Sequence, residues 1–479
     1  MFFDTPVYIV FLVVVVSVYW NLRWRPQNIF LLCCSYFFYG WWDWRFLALI
    51  AISTVVDYHC ARYIAASDNP VRRRAFLSVS VVLNLTFLGF FKYFNFFAES
   101  LAAVLQTLGL HVDIMVLRVV LPPGISFYTF QELAYIVDVY SGKLKPARSL
   151  VDYALFISLF PHLIAGPIQR PSHLLPQVSK PRSFDAGKFF DGLMLIVSGL
   201  FCKCVVADNC ALLANAAFNG KLGPPSLPVL AIGTYAFAWQ IYGDFKGYSD
   251  IARGSAQLMG FHFMVNFRQP YLAESLQDFW RRWHISLSSW LRDYLYIPLG
   301  GNRKGERRTY GNLAATMLLG GLWHGANWTF VVWGGIHGIG LAVERFYRKI
   351  RGLERFDSPP LEGNASLFSL SAWMRRVVVF HLVCLSWIFF RAESVTDAGR
   401  LLGGLARWSW RPEFLTAFTF LAAFAVPLFV VDLLLESRGE EYVFETSGAP
   451  LRIAYAMTTV AIVTFFAANQ LNAFIYFQF

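Results

Sequence analysis

The chain has 479 residues, of which 57% are hydrophobic and 15% charged, whereas a soluble globule carries about 25% charged residues. That balance excludes a water-soluble domain and makes the chain an all-α polytopic membrane protein. Its net charge of +11 does not point to nucleic acid, because Lys and Arg cluster between apolar stretches, a pattern that reports membrane topology and contact with anionic lipid headgroups.

A helix crossing roughly 30 Å of hydrocarbon needs about 20 mainly apolar residues. Suitable stretches fall near 6–21, 28–42, 46–65, 75–97, 114–139, 151–168, 189–213, 227–245, 310–329, 330–345, 373–390, 413–433 and 451–470. Pro6–Trp20 has no basic leader and no Ala-x-Ala cleavage site, so it is expected to be a retained span, not a signal peptide. Residues 151–168 contain Pro161, His162, Gly166 and Pro167. They predict a broken or re-entrant element whose freed backbone groups need protein or water partners. Leu313–Val343 predicts two helices meeting at a kink. The basic groups Arg23/Arg25, Arg72–Arg74, Lys143/Lys145/Arg148, Lys180/Arg182/Lys188, Arg303–Arg308 and Arg345–Arg351 are assigned to the cytoplasmic side. About eleven full crossings are expected. No soluble domain or internal repeat is visible, and residues 1–479 are read as one membrane-embedded domain. The seven cysteines form no Cys-x-x-Cys pair. They are read as reduced packing residues, with no disulfide and no metal site.

The segment from Gly243 to Arg308 mixes charges with aromatics as no lipid-exposed span does. Trp280, Trp283, Leu287, Trp290, Leu291 and Tyr294 recur at three- and four-residue steps, which predicts helices lying in the cytoplasmic interface. An amphipathic helix with snorkelling arginines explains the stripe, but not the density of Arg, Asp and His beside it.

His324 then stands inside the apolar run Leu313–Val343. An ionisable group at that depth is costly and is by default a functional candidate, the alternative being a packing histidine that makes one interhelical hydrogen bond. Gly320, Gly321 and Gly325 permit close approach of a backbone or a substrate. With His337 set among Gly334, Gly335 and Gly338, the stretch is expected to line a cavity.

Several segments together resemble the membrane-bound O-acyltransferase family, in the branch that acts on alginate and on teichoic acid. They are Asp278-Phe-Trp-Arg-Arg-Trp-His284, Trp290-Leu-Arg-Asp-Tyr294 with Tyr296-Ile-Pro-Leu-Gly-Gly-Asn302, and Gly321-Leu-Trp-His-Gly-Ala326. Gly124–Gln131, Phe160–Ile168 and Asp244–Asp250 add to them, so the motif-bearing core runs from about 120 to 345. The resemblance implies a helical fold around a central tunnel in a bacterial inner membrane. It implies transfer of an acyl group, most simply acetyl, from a cytoplasmic thioester (acetyl-CoA or an acyl-phosphopantetheine carrier) to hydroxyls of an exported, alginate-like polysaccharide, directly or through a periplasmic acetyltransferase partner. No resident cofactor is implied. The family's essential histidine maps onto His324, and the second histidine of the teichoic acid branch onto His284.

Acyl transfer to an alcohol needs a base for the hydroxyl proton and donors for the oxyanion. His324 suits the first task, and Asn327 with the glycine backbone suits the second. His284 has three readings: second base, tautomer-fixing partner of His324, or packing residue. Arg281, Arg282 and Arg292 are candidates for the donor phosphates, or for headgroup contact. Asp278, Asp293 and Asn302 are expected near the cytoplasmic mouth of the tunnel, with Trp323 and Asn327 near the reacting centre. Ser286, Ser288 and Ser289 lack a nucleophile elbow, so direct or histidine-assisted transfer is favoured over an acyl-serine. His324 lies sixteen residues past Arg308, about 24 Å along a helix, which places it deep in the bilayer. The competing readings are a transporter or flippase for a lipid-linked sugar, D-alanyl-type transfer to an envelope polymer, and a scaffold without activity.

Overall fold

A computed structural model describes residues 1–110, 119–164, 166–352, 367, 369–468 and 474–475; Ala165 and the first residues of the 114–139 stretch lie outside them. The described residues form α-helices joined by short 3-10 and π turns, with no strand among them. Among the described residues six helical runs are long and apolar enough to cross a membrane: Trp24–Ala66, Pro70–Thr107, Ala186–Phe218, Leu370–Arg391, Glu413–Arg438 and Ala449–Phe466. The predicted stretches 28–42 and 46–65 thus join into one run, turned only by a 3-10 segment at Trp44–Phe46. Helix starts follow local chemistry. The side chain of Asn69 accepts from the N–H groups of Val71 and Arg72, with Pro70 in the first turn where a missing N–H costs nothing.

The residues gather into two compact units, one of Met1–Leu193 with Ala252–Met264 and one of Met194–Ile251 with Val265–Phe479. In the first, the 151–168 element is broken as predicted: helix Leu150–Ser158 stops, Leu159 is non-helical, and Phe160–Leu163 adds one turn. His162 is committed there, with one ring nitrogen 3.2 Å from Gln131 Nε2 and the other 3.1 Å from the Phe156 carbonyl. It is a packing histidine that closes two hydrogen bonds. Several basic residues of this unit line two cavities. Arg25, Lys143, Lys145 and Arg148 line one cavity of about 810 Å³, and Lys180, Arg182 and Lys188 another of about 290 Å³. The Trp24 indole N–H donates to the Val178 carbonyl at 3.2 Å and links the two groups.

The second unit is held by buried charge as well as by apolar packing. Lys203 lies 2.8 Å from Asp208 and 2.9 Å from Asp244, and Lys246 lies 2.6 Å from Asp250. Charges taken out of water persist only when paired in this way. The Asp244–Asp250 motif belongs to this lattice on the helix Leu227–Leu258. Leu313–Val343 contributes two helices, Glu306–His324 and Trp328–Ile350, which meet at Gly325–Asn327.

Candidate active site

The first wall of the site is the segment Ser275–Leu291. Ser275 caps helix Leu276–Arg282 by accepting from the Asp278 N–H at 3.1 Å. Trp283 is extended and His284 turns left-handed (φ 44, ψ 52) before helix Ile285–Leu291 begins. Such a backbone costs a non-glycine residue about 1–3 kcal/mol unless its surroundings impose it. Here they do. The Ile285 N–H donates to the Asn266 backbone carbonyl at 2.9 Å, and the Ser286 N–H to the Asn266 side-chain oxygen at 3.3 Å.

The second wall is the hairpin of Glu306–His324 and Trp328–Ile350. A Cβ on Gly321 would overlap the Phe330 carbonyl oxygen, one on Gly334 would overlap that of Met317, and one on Gly325 would overlap the Phe330 ring. These three glycines therefore serve close helix packing, while the stretch lines a cavity through Leu313, Thr316, Met317 and Leu341. The effect of the glycines is to fix His324, the last residue of its helix, against the aromatic face of the next one.

The two walls bring the predicted histidines together. The rings of His284 and His324 lie 6.2 Å apart, 0% and 3% exposed. Trp323 is 5.1 Å from His324 and 5.8 Å from His284. Trp333 at 5.1 Å and Phe390 at 5.5 Å also stand against His324. Burial pushes the His284 imidazole down to about 3, so it is neutral and keeps a lone pair. His337 lies one layer out, 4.9 Å from Trp333, with its Nε2 3.0 Å from the Ser386 hydroxyl.

A pocket of about 410 Å³ opens beside this pair, lined by Arg281, Arg292, Tyr296, Asn302 and Arg345 together with Trp280, Ile285, Thr316 and Met317. Its cations Arg281, Arg292 and Arg345 come from different parts of the chain, and Trp280, Ile285, Leu313 and Met317 supply apolar lining. Neither His284 nor His324 lines it. Trp280, whose ring is 5.7 Å from Trp333, stands between the pocket and the His324 surroundings.

The other predicted residues divide. Arg281, Arg292 and Asn302 line the pocket, Asn302 accepting from the Tyr296 hydroxyl. Arg292 also pairs with Asp293 at 2.7 Å at the exposed rim. Arg282 does not belong with them: it is buried, its Nε 2.9 Å from Asp278 and its two terminal nitrogens 2.8 and 3.0 Å from Glu436. With the guanidinium occupied by two carboxylates, its place is structural, and so is that of Asp278. Asn327 is corrected likewise. Its side chain accepts from the Thr329 N–H at 3.0 Å and donates to the Glu393 carbonyl at 2.9 Å, which makes it a helix cap. Ser288 and Ser289 donate to backbone carbonyls at 3.1 Å, as helix hydroxyls commonly do. Among the described residues no cluster of His, Cys, Asp or Glu has the composition to hold a metal ion.

The sequence reading missed Asn266, Arg345, Trp280 and Trp333. Asn266 is eighteen residues from His284 and no local periodicity ties the two. The sequence marks Arg345 only as a topology signal and Trp280 only as part of a helix stripe, and nothing local singles out Trp333.

Comparison with known proteins matches residues 147–387 to the membrane-bound O-acyltransferase family. The chain is 43% identical to a probable alginate O-acetylase AlgI of Pseudomonas putida, over 85% of this chain and 80% of that one. It is 38% identical to a probable alginate O-acetylase AlgI of Azotobacter vinelandii over the whole of both. A peptidoglycan O-acetyltransferase of Helicobacter pylori is 36% identical over 84% of this chain and 79% of its own length.

Proposed function

The chain belongs to the membrane-bound O-acyltransferase family, and on that premise we propose that it moves an acetyl group from a cytoplasmic thioester to hydroxyls of an exported, alginate-like polysaccharide at the bacterial inner membrane. The observation that carries this reading is the pair His284 and His324, 6.2 Å apart and buried, next to a pocket with three arginines at its rim. Arg281, Arg292 and Arg345 suit the phosphates of coenzyme A or of a phosphopantetheine arm. The apolar inner part, Trp280, Ile285 and Met317, suits the uncharged arm that carries the thioester inward.

His324 takes the proton of the acceptor hydroxyl, whose oxygen attacks the thioester carbonyl. The C–O bond forms, the C–S bond breaks, and the thiolate leaves with the proton that His324 held. Two groups able to carry a proton fit a transfer in which one must be removed and one delivered. The hydroxyls of Ser286, Ser288 and Ser289 are each engaged in hydrogen bonds, which supports transfer without an acyl-serine. The acyl group goes to the polymer itself or to a periplasmic acetyltransferase that passes it on. The likeness to a peptidoglycan O-acetyltransferase makes a peptidoglycan sugar the second acceptor to test.

The test is acetyl-thioester consumption by proteoliposomes holding only this protein, together with mass spectrometry of the surface polysaccharide in cells with and without it. His324→Ala should insert normally and lose at least ~100-fold in rate, within the range that general base catalysis supplies. Consumption that is unchanged in His324→Ala, or O-acetylation that is unchanged when the protein is removed, would overturn the proposal.

A further inference from the structure

The side chain of Asn266 meets three groups of the segment that carries His284, and one of them settles the other two. The backbone N–H of Ser286 lies 3.3 Å from Asn266 Oδ1. A backbone N–H can only donate, so the atom it meets is the amide oxygen. The amide nitrogen at the other end donates to Ser249 Oγ at 3.1 Å, which agrees with that orientation. The same oxygen is 2.9 Å from Ser286 Oγ and 3.1 Å from His284 Nδ1. An amide oxygen only accepts, so Nδ1 must carry hydrogen. In a neutral imidazole the lone pair is then on Nε2, the nitrogen turned away from Asn266.

The same residue imposes the backbone. The left-handed turn at His284 is held by the two N–H groups that follow it, Ile285 and Ser286, both captured by Asn266, one on its backbone carbonyl and one on its side chain. The tautomer of His284 thus depends on the Asn266 side chain, and its backbone on the side chain and main-chain carbonyl of that same residue. The Asn266–Ser249 contact also ties the site to the Asp244–Asp250 motif, which the proposed chemistry had left without a part.

Resting on the reading that His284 and His324 act together, we infer that Asn266 is a positioning residue. It holds His284 in the Nδ1-protonated form and makes it the proton-accepting partner of His324. When His324 takes the hydroxyl proton, the lone pair at His284 Nε2 steadies the imidazolium that results. The opposite tautomer would present an N–H there and oppose the step.

The experiment joins a spectroscopic readout with a kinetic one, on the full chain in lipid nanodiscs. Ring-15N histidine spectra, with the His284 signals assigned by their loss in His284→Ala, should show a protonated Nδ1 and an unprotonated Nε2. Asn266→Leu, which has similar size and no acceptor, should lower kcat by about 100-fold with the donor KM unchanged, the order expected when the wrong tautomer is presented. Asn266→Asp keeps an acceptor oxygen and should recover activity to within about 10-fold of wild type. A wild-type spectrum with hydrogen on Nε2 overturns the inference, as does Asp turning over no better than Leu. If His284→Ala is inactive while Asn266→Leu runs at the wild-type rate, the inference alone falls. If His284→Ala itself runs at the wild-type rate, the paired-histidine reading falls and takes the inference with it.

Discussion

Gly321 and Gly334 face each other across the crossing of helices Glu306–His324 and Trp328–Ile350, with the Gly334 Cα 3.2 Å from where a Gly321 Cβ would stand. Small residues at a membrane helix crossing let two backbones touch. Here the contact sets how far His324, three residues on, stands from Trp333. Gly334→Ala must push the hairpin apart at a point where the obstacle is backbone, and overpacking of that kind costs about 1–3 kcal/mol. The expected outcome is a lower melting temperature in detergent and a loss of acyl transfer. Gly335→Ala is the control one position away, since its Cβ meets only Leu318 Cδ2 at 3.5 Å, an ordinary contact. Equal effects of the two substitutions would refute the crossing as the cause.

Neighbouring arginines should separate cleanly. Arg282→Ala leaves Asp278 and Glu436 without their shared cation in a buried place, a change that costs about 3–5 kcal/mol, and it should show as lost yield of folded protein. Arg281→Ala removes an exposed cation from the pocket rim. It should leave the yield intact and raise the KM for the thioester donor severalfold. A donor KM that stays at the wild-type value in Arg281→Ala would remove the pocket as the donor site.

The buried lattice around Lys203 gives a third outcome. Lys203→Met deprives Asp208 and Asp244 of a cation held within 3 Å, and the loss should again be about 3–5 kcal/mol. Adding Asp244→Asn to Lys203→Met should return part of that stability, because one of the stranded charges is gone and neighbouring substitutions couple. Thermal unfolding of the single and double variants measures the coupling. Strictly additive losses would mean that the pair does not act as one unit.

How much of this was legible beforehand depended on the range of the interaction. The break near Pro161 and the kink within Leu313–Val343 are written in local signals, proline and glycine, and the structure follows them, while six helical runs among the described residues are long and apolar enough to cross a membrane where about eleven crossings are expected from the sequence. His284 and His324 were legible because ionisable groups in apolar surroundings are conspicuous and because their motifs match a family. The parts that were not legible are tertiary. Nothing local to Arg282 says that Glu436, 154 residues away, will take its guanidinium, so it looked equivalent to Arg281. Asn327 next to His324 looked like an oxyanion donor, although Asn before a helix is first of all a cap. The glycines of the hairpin were legible as places of close approach, but not as to what would approach them.

The last prediction concerns the side from which the donor enters. Lys349 pairs with Glu306 at 2.6 Å, and Arg345 lines the same pocket as Arg292 and Asn302. The basic groups 303–308 and 345–351 therefore share one end of the second unit, as the first unit's basic loops share their own cavities. Clustered Lys and Arg beside apolar helices mark the cytoplasmic face, which makes Lys304, exposed in its loop, a reporter for the mouth of the donor pocket. Cys33 is exposed and would give background, so the measurement starts from Cys33→Ser. In that chain Lys304→Cys should react with an impermeant thiol reagent only after the inner membrane is opened, and Lys143→Cys should behave the same way for the first unit. Labelling of Lys304→Cys in intact spheroplasts would place the arginine rim outside, and a cytoplasmic thioester could not reach it.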